Sequence, residues 1–290
     1  MFNLYRRVIS RETRRADLSE SEKLATLYHD LFDFPLNLQE LIRWRLADNI
    51  EGFGIGDQIL HKGGYFFVEG KEGIVYKRTL RKHISARKIE IARHAARILS
   101  FIPGILMVAI TGSLAMENAS DESDIDLMIV TKKGLLWTTR FLSYLVIKMF
   151  GVDVRAANDK NQKDKLCLNM WLDESDLSWT KNRNIYTAHE IAQIKPILDK
   201  NNVYEKLLVA NKWILNYWPN SVKIGKWKAS ATLSLENGKS QRRINPIEGL
   251  AFKLQYLYMR NKITREVVTS TRAIFHPHDW SGVVLSRFSS

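Results

Sequence analysis

Residues 107–131 read MVAITGSLAMENASDESDIDLMIVT. An apolar run leads to Gly112-Ser113, a polar segment follows, and a second apolar run begins at Asp124 and Asp126. Side chains two positions apart on a strand point to the same face, so we expect these two carboxylates to lie side by side and Ile125 to enter the core. Adjacent carboxylates repel each other unless a cation neutralises them.

The chemistry of this stretch predicts a magnesium site beside a phosphate site. Magnesium takes oxygen ligands and is usually held by one or two carboxylates together with substrate phosphates, which suits Asp124 and Asp126. Gly112-Ser113 offers a backbone that a phosphate can approach closely, a hydroxyl group and a free N–H.

The combined motif resembles the signature of the polymerase-beta-like nucleotidyltransferase superfamily. Its elements here are Gly112-Ser113 after an apolar strand, a gap of ten residues, and Asp124-Ile125-Asp126 entering the next strand. The resemblance covers about residues 102–175. It implies a mixed-sheet core that transfers a nucleoside monophosphate from a nucleoside triphosphate to an acceptor hydroxyl. It also implies two magnesium ions, held by Asp124 and Asp126, with Gly112 and Ser113 at the phosphates.

The superfamily has a third carboxylate on a later strand, and two positions compete for it. Asp153 lies in an apolar-Asp-apolar pattern directly after a predicted helix, and we favour it as metal ligand and general base. Alternatively, the strand predicted over residues 165–172 takes that place, and Asn169 then stands where an acid is expected. An amide cannot deprotonate a hydroxyl group, and it binds magnesium more weakly than a carboxylate.

The overall charge favours a polyanionic partner. The net charge is +13 and the pI is about 9.7, which points to RNA or DNA, although solubility explains the same values. Cys167 is the single cysteine, so a disulfide framework and a Cys-rich zinc site are excluded. We find no apolar run long enough for a membrane span and no signal peptide, and we expect a cytoplasmic protein without a membrane partner.

The residues before the motif predict a winged-helix-like module. Helical spacing is found over residues 18–32 and 38–48, and residues 63–77 predict a hairpin that turns around residues 69–73. Two helices followed by a hairpin resemble a winged helix-turn-helix. This module and the basic residues before it are the predicted surface for RNA or DNA.

A strongly basic helix is predicted to follow, over about residues 79–100. The segment from Lys77 to Arg97 contains eight lysines and arginines against one acid, Glu90. Such a surface can contact nucleic-acid phosphates, but a solvated linker helix gives the same pattern, and we slightly favour the linker. The competing function is therefore a non-catalytic nucleic-acid-binding regulator with a degenerate nucleotidyltransferase core.

The fold class predicted from these elements is α+β. The expected parts are a basic segment with a winged-helix-like module (1–78), a basic linker helix (79–101), a nucleotidyltransferase core (102–200) and a helical C-terminal region (201–290).

Overall fold

The structure is a computed structural model that describes residues 13–50, 58–156, 159, 161–224, 245–260, 266–275 and 280–288. In these residues the protein mixes helices with two separate sheets, as the α+β prediction requires. Most of the predicted basic N-terminal segment and most of the polar connection after residue 220 lie outside the described residues.

The helices and strands alternate along much of the chain. The helices are α1 (Glu20–Asp30), α2 (Leu38–Arg43), α3 (Ile74–Leu99), α4 (Gly112–Ala115), α5 (Leu136–Met149), α6 (Ile185–Ala192), α7 (Val203–Ala210), a 3-10 helix (Lys212–Asn216), α8 (Pro246–Met259) and α9 (Trp280–Phe288). The strands are β1 (Arg14–Arg15), β2 (Leu36–Asn37), β3 (Ile59–Lys62), β4 (Tyr65–Val68), β5 (Ile105–Ile110), β6 (Ile125–Thr131), β7 (Leu166–Asp173), β8 (Lys195–Asp199), β9 (Val267–Val268) and β10 (Arg272–Ile274).

The N-terminal sheet has the order β1-β3-β4-β2, and its hairpin corrects the sequence prediction. The turn lies at Gly63-Gly64, whose φ angles of 62° and 90° suit a two-residue hairpin turn, and not around residues 69–73. Residues 74–77, predicted as the second strand, begin α3 instead. The reason is packing, because Ile74 and Val75 join Phe67 in a small apolar cluster.

The central sheet has the order β8-β5-β6-β7-β10-β9. β6 and β7 are parallel, and the other neighbours are antiparallel. All of β5 is buried, and β6 is buried except at Asp126, which is half-buried. Continuous apolar strands of this kind are covered on both faces, so a carboxylate in β6 is an exception that needs a compensating partner.

The C-terminal part adds strands as well as helices to the fold, which corrects the expectation of a purely helical region. β10 pairs antiparallel with β7, with Ala273 opposite Trp171, and β9 forms the sheet edge. Strands of two and three residues are too short to produce a readable alternation in the sequence. The helix α8 of this region begins at Pro246, directly after its N-cap residue Asn245.

A second apolar core joins the N-terminal helices to later parts of the chain. Tyr28 and Trp44 pack with His189 and Trp218 in a cluster of aromatic rings. This core crosses the predicted boundaries at residues 78, 101 and 200, which therefore do not separate independent cores. Among the residues that the structure describes, none of the helices has both the length and the apolar character needed to cross a membrane.

Candidate active site

The two motif aspartates meet at the start of β6. Asp124 directly precedes the strand and Asp126 is its second residue. Each offers a carboxylate oxygen that lies within 4.8 Å of the other and of Sγ of Cys167, which comes from the neighbouring strand β7. Within the described ranges this is the only such group of three acidic, cysteine or histidine side chains.

Gly112 passes directly against Asp126. Its φ angle is +59°, and a Cβ atom added there would lie 2.8 Å from Oδ2 of Asp126. Two features of this position therefore favour glycine: the left-handed backbone conformation and the close approach of the Asp126 carboxylate. The next residue, Ser113, is exposed, and its carbonyl oxygen accepts a hydrogen bond of 2.9 Å from the backbone N–H of Asn118. The predicted phosphate-contacting residues and the predicted metal ligands are thus neighbours.

Arg155 is a site residue that the sequence reasoning missed. Its Nη1 donates a hydrogen bond of 2.7 Å to Oδ2 of Asp124. An isolated parallel bridge between Val154 and Leu166 holds this segment beside the start of β7. A positive charge therefore already faces one of the two carboxylates, and no local pattern around Arg155 indicates it.

None of the described cations forms an ion pair with the second carboxylate, Asp126. Burial and the negative charge of Asp124 raise the pKa of Asp126 to about 7. Burial also raises the pKa of the Cys167 thiol, which stays protonated at neutral pH. The carboxylate pair thus lacks a positive charge from the described residues at Asp126. The neutral thiol of Cys167 is a weaker ligand for a hard cation than the carboxylate oxygens are.

The sequence left open whether Asp153 or Asn169 lies beside the two aspartates. In the structure Asn169 occupies that position. Its Nδ2 donates a hydrogen bond of 2.6 Å to Oδ1 of Asp126. Its own Oδ1 is buried and has no hydrogen-bond partner among the described residues. Asp153 is exposed and is not in the group of ligand atoms, and its carbonyl oxygen accepts from Leu166 at 2.9 Å. The structure therefore places Asn169, and not the favoured Asp153, against the aspartates.

The donor set fits one magnesium ion better than two. Two carboxylates, the raised pKa of Asp126 and the unpartnered buried oxygen of Asn169 suit a hard cation that prefers oxygen ligands. A second ion of the predicted kind needs a third carboxylate, and Asn169 supplies only an amide. The two magnesium ions expected from the resemblance stay a prediction, for which the described side chains offer two carboxylates and one amide.

A further acid belongs to the same electrostatic environment. Glu190 of α6 has a pKa raised to about 8, first by burial and second by the charge of Asp126. Its Oε1 accepts a hydrogen bond of 2.6 Å from Nε2 of Gln193. The neighbouring His189 is buried, and burial lowers its pKa well below the usual value. Neither residue was predicted to be functional from the sequence.

The loop that leads to Asp124 is held by a buried lysine of α3. Lys88 is fully buried and donates to the carbonyl oxygens of Asp121 and Ser123 at 3.1 and 2.7 Å, and to Oδ1 of Asp164 at 2.8 Å. Arg87 adds ion pairs of 2.8 Å to Asp121 and 2.6 Å to Asp164. These contacts fix the backbone immediately before the first aspartate.

Most cations of the basic helix form ion pairs with acidic residues of the protein itself. Arg78, also buried, pairs with Glu40 at 2.7 Å. Six of the eight basic residues between positions 77 and 97 form ion pairs: Lys77, Arg78, Arg81, Arg87, Lys88 and Arg93. This pairing supports the linker interpretation of the helix over a surface for nucleic-acid phosphates.

Comparison of the chain with protein-family models, with curated proteins and with solved structures finds no match.

Proposed function

We propose that the protein is a nucleotidyltransferase that moves a nucleoside monophosphate from a nucleoside triphosphate to an acceptor hydroxyl. The proposal rests above all on the contact between Gly112 and Asp126, which joins the two halves of the motif in space. Asp124 completes the carboxylate pair, and strands β5, β6 and β7 lie side by side in a mixed sheet, as the resemblance implies.

In this reaction the acceptor oxygen attacks the α-phosphorus, the bond to the bridging oxygen breaks, and pyrophosphate leaves. Asp124 and Asp126 would hold magnesium, which neutralises charge on the triphosphate and on the transition state. Gly112 and Ser113 would lie against the leaving phosphates. The hydroxyl proton cannot go to the amide of Asn169 and would pass to solvent water, so we expect a slower chemical step than a third carboxylate would allow.

The proposed activity is tested with each labelled nucleoside triphosphate, magnesium, and either total cellular RNA, total protein or a small-molecule extract as acceptor. The expected result is magnesium-dependent transfer of label with release of pyrophosphate, lost in Asp126→Ala. Asp153→Ala is the matched control, because this exposed acid lies outside the group. Equal transfer by Asp126→Ala and by the unmodified protein would rule the proposal out.

The alternative, a non-catalytic nucleic-acid-binding regulator, is supported by the amide at position 169 but not by the charge distribution. The test of this alternative replaces the exposed cations Lys82 and Arg97. Substituting Arg87 or Lys88 instead would also release the loop before Asp124. A nucleic-acid surface predicts affinity that falls with salt by about 0.9 log units per log unit for each phosphate contact on duplex DNA. Replacing both cations by glutamine should then lower the slope.

A further inference from the structure

A cavity of about 950 Å³ lies between α5, α8 and β7. Its outer wall is apolar and includes Phe141, Leu250 and Leu254, whose exposed fractions are 59%, 58% and 60%. Its inner end is polar and is formed by Arg155, Cys167 and Asn169. The space therefore changes from apolar at the surface to polar at its inner end.

The inner end of the cavity is also the edge of the candidate active site. Arg155 contacts Asp124 at 2.7 Å, and Asn169 contacts Asp126 at 2.6 Å. A ligand that fills the cavity would thus reach the carboxylate pair.

The phosphate motif and the inner end of the cavity belong to different neighbours of β6. In the sheet, β6 lies between β5, which leads to Gly112-Ser113, and β7, which supplies Cys167 and Asn169 to the cavity. In-line displacement at phosphorus requires the attacking and leaving oxygens to lie on opposite sides of the phosphorus atom. Leaving phosphates on the β5 flank and an attacking hydroxyl on the β7 flank would be compatible with that requirement.

Three polar atoms of residues that line the cavity are buried and have no hydrogen-bond partner among the described residues: Nε of Arg140, Nε of Arg155 and Oδ1 of Asn169. Leaving a buried polar atom without a partner is unfavourable, so a small rotation of these side chains towards a polar ligand in the cavity would be favourable. The guanidinium of Arg140 lies over the ring of Tyr144 at 5.0 Å, which fixes it in the wall.

We propose that this cavity binds the acceptor, and that the acceptor is a small hydroxylated molecule with an apolar body and one anionic group. The anionic group would accept hydrogen bonds from Arg140, and the reacting hydroxyl would lie at the inner end beside Asp126. The apolar wall suits an acyl or aromatic body better than a nucleic-acid backbone. The inference rests on the proposed nucleotidyl transfer.

The test uses 8-anilinonaphthalene-1-sulfonate, an aromatic anion of the proposed class, in fluorescence titrations of the full chain. Ala251→Phe, which fills the cavity, and Arg140→Gln, which removes the guanidinium, should each weaken binding about tenfold or more. Leu257→Phe is the matched control, because this exposed residue of α8 does not line the cavity. Leu254→Gln changes the exposed rim and covers the case in which Ala251→Phe fails to fold.

The titrations are repeated with saturating magnesium and nucleoside triphosphate, whose binding is measured separately by calorimetry. An acceptor site predicts that probe and nucleotide bind together and that Ala251→Phe leaves nucleotide affinity unchanged. Competitive displacement would assign the cavity to the nucleotide, and equal probe affinity in all variants would show that the probe binds elsewhere; either result overturns the inference while nucleotide transfer stands.

Two further results separate this inference from the proposed function. Label transfer to RNA that Ala251→Phe does not reduce would overturn the small-molecule acceptor but not the transferase. If the unmodified protein binds the probe in the cavity but binds no nucleotide, the transferase proposal fails and the acceptor assignment fails with it.

Discussion

The backbone of Gly112 lies so close to the Asp126 carboxylate that a Cβ atom at position 112 would be 2.8 Å from Oδ2. This contact joins two parts of the chain that are separated by a polar loop. It explains why glycine, rather than another small residue, stands at the end of β5.

Gly112→Ala should therefore destabilise the protein more than Gly151→Ala. Both positions have positive φ, +59° and +67°, so both substitutions carry a backbone penalty of about 1–2 kcal/mol. Only the Cβ atom at position 112 collides with another group, since nothing lies within 4 Å of one added at Gly151. Urea unfolding measures the difference, and magnesium titration should show weaker binding for Gly112→Ala alone. Equal losses in both variants would mean that the contact with Asp126 has no energetic consequence.

The stability of the metal-free protein should respond to pH through Asp126. Its pKa is 3.8 in the unfolded reference and about 7 when folded, so between these values the folded state holds a proton that the unfolded chain has released. The Asp126 contribution to stability therefore falls as pH rises through this window and is constant above it. Asp126→Asn removes this loss and should be more stable than the unmodified protein by on the order of 4 kcal/mol at pH 8, at about 1.4 kcal/mol per pH unit.

The measurement compares unfolding free energies of the two proteins from pH 5 to pH 8. Taking the difference removes the contributions of buried groups that do not interact with Asp126, whereas the part of the Glu190 shift that the charge of Asp126 causes remains in the difference. The contribution of Glu190 to stability, with a pKa near 8, falls as pH rises, as that of Asp126 does. The contribution of His29, with a pKa near 4, rises with pH. A difference that does not change with pH would contradict the assignment to Asp126.

Asn169→Asp should add the missing third carboxylate. We expect faster transfer, on the order of 100-fold if the new carboxylate acts as general base, and a larger stabilisation by magnesium. Without magnesium this variant should be less stable, because it places another negative charge beside Asp126, which the Asn169 amide contacts at 2.6 Å. Steady-state rates and thermal unfolding with and without magnesium check both effects.

The control for this substitution is Asp153→Asn, which should leave both quantities unchanged because Asp153 is exposed and outside the ligand group. Loss of activity in Asp153→Asn, with no gain in Asn169→Asp, would reverse the two assignments.

Lys88→Met should cost about 1–3 kcal/mol of stability for each of the two backbone carbonyls that it leaves without their donor, while Asp164 keeps its ion pair with Arg87. It should also weaken magnesium binding, since the released loop leads directly to Asp124. Arg97→Met, at an exposed position of the same helix, should be close to neutral. Similar stability of the two variants, measured by urea unfolding, would contradict the structural role of Lys88.

The sequence predicted the parts of the site that depend on local pattern. Two apolar runs, a glycine with positive φ and the Asp-x-Asp spacing are enough to place Gly112 near Asp124 and Asp126. The choice between Asp153 and Asn169 depends on which segment pairs with β6, and pairing between distant strands has no local signature. Arg155 enters the site for the same tertiary reason.

The fold shows the same division between local and distant information. The helix α1 and the strands β5, β6 and β7 were predicted from apolar runs and helical spacing. The hairpin was misplaced because the turn signal of Gly63-Gly64 was given less weight than the glycines at positions 70 and 73. β9 and β10 were missed because they are short and depend on distant pairing, β10 with β7 and β9 with β10.

The central claim is that Asp124 and Asp126 form a magnesium-dependent nucleotide site. Calorimetric titration of nucleoside triphosphate, with magnesium and with a chelator, into the unmodified protein, Asp153→Ala and the double variant Asp124→Ala/Asp126→Ala tests it most directly. We predict magnesium-dependent binding by the first two proteins and none by the double variant, with all three folded by circular dichroism. Unchanged nucleotide affinity in the double variant would contradict the account.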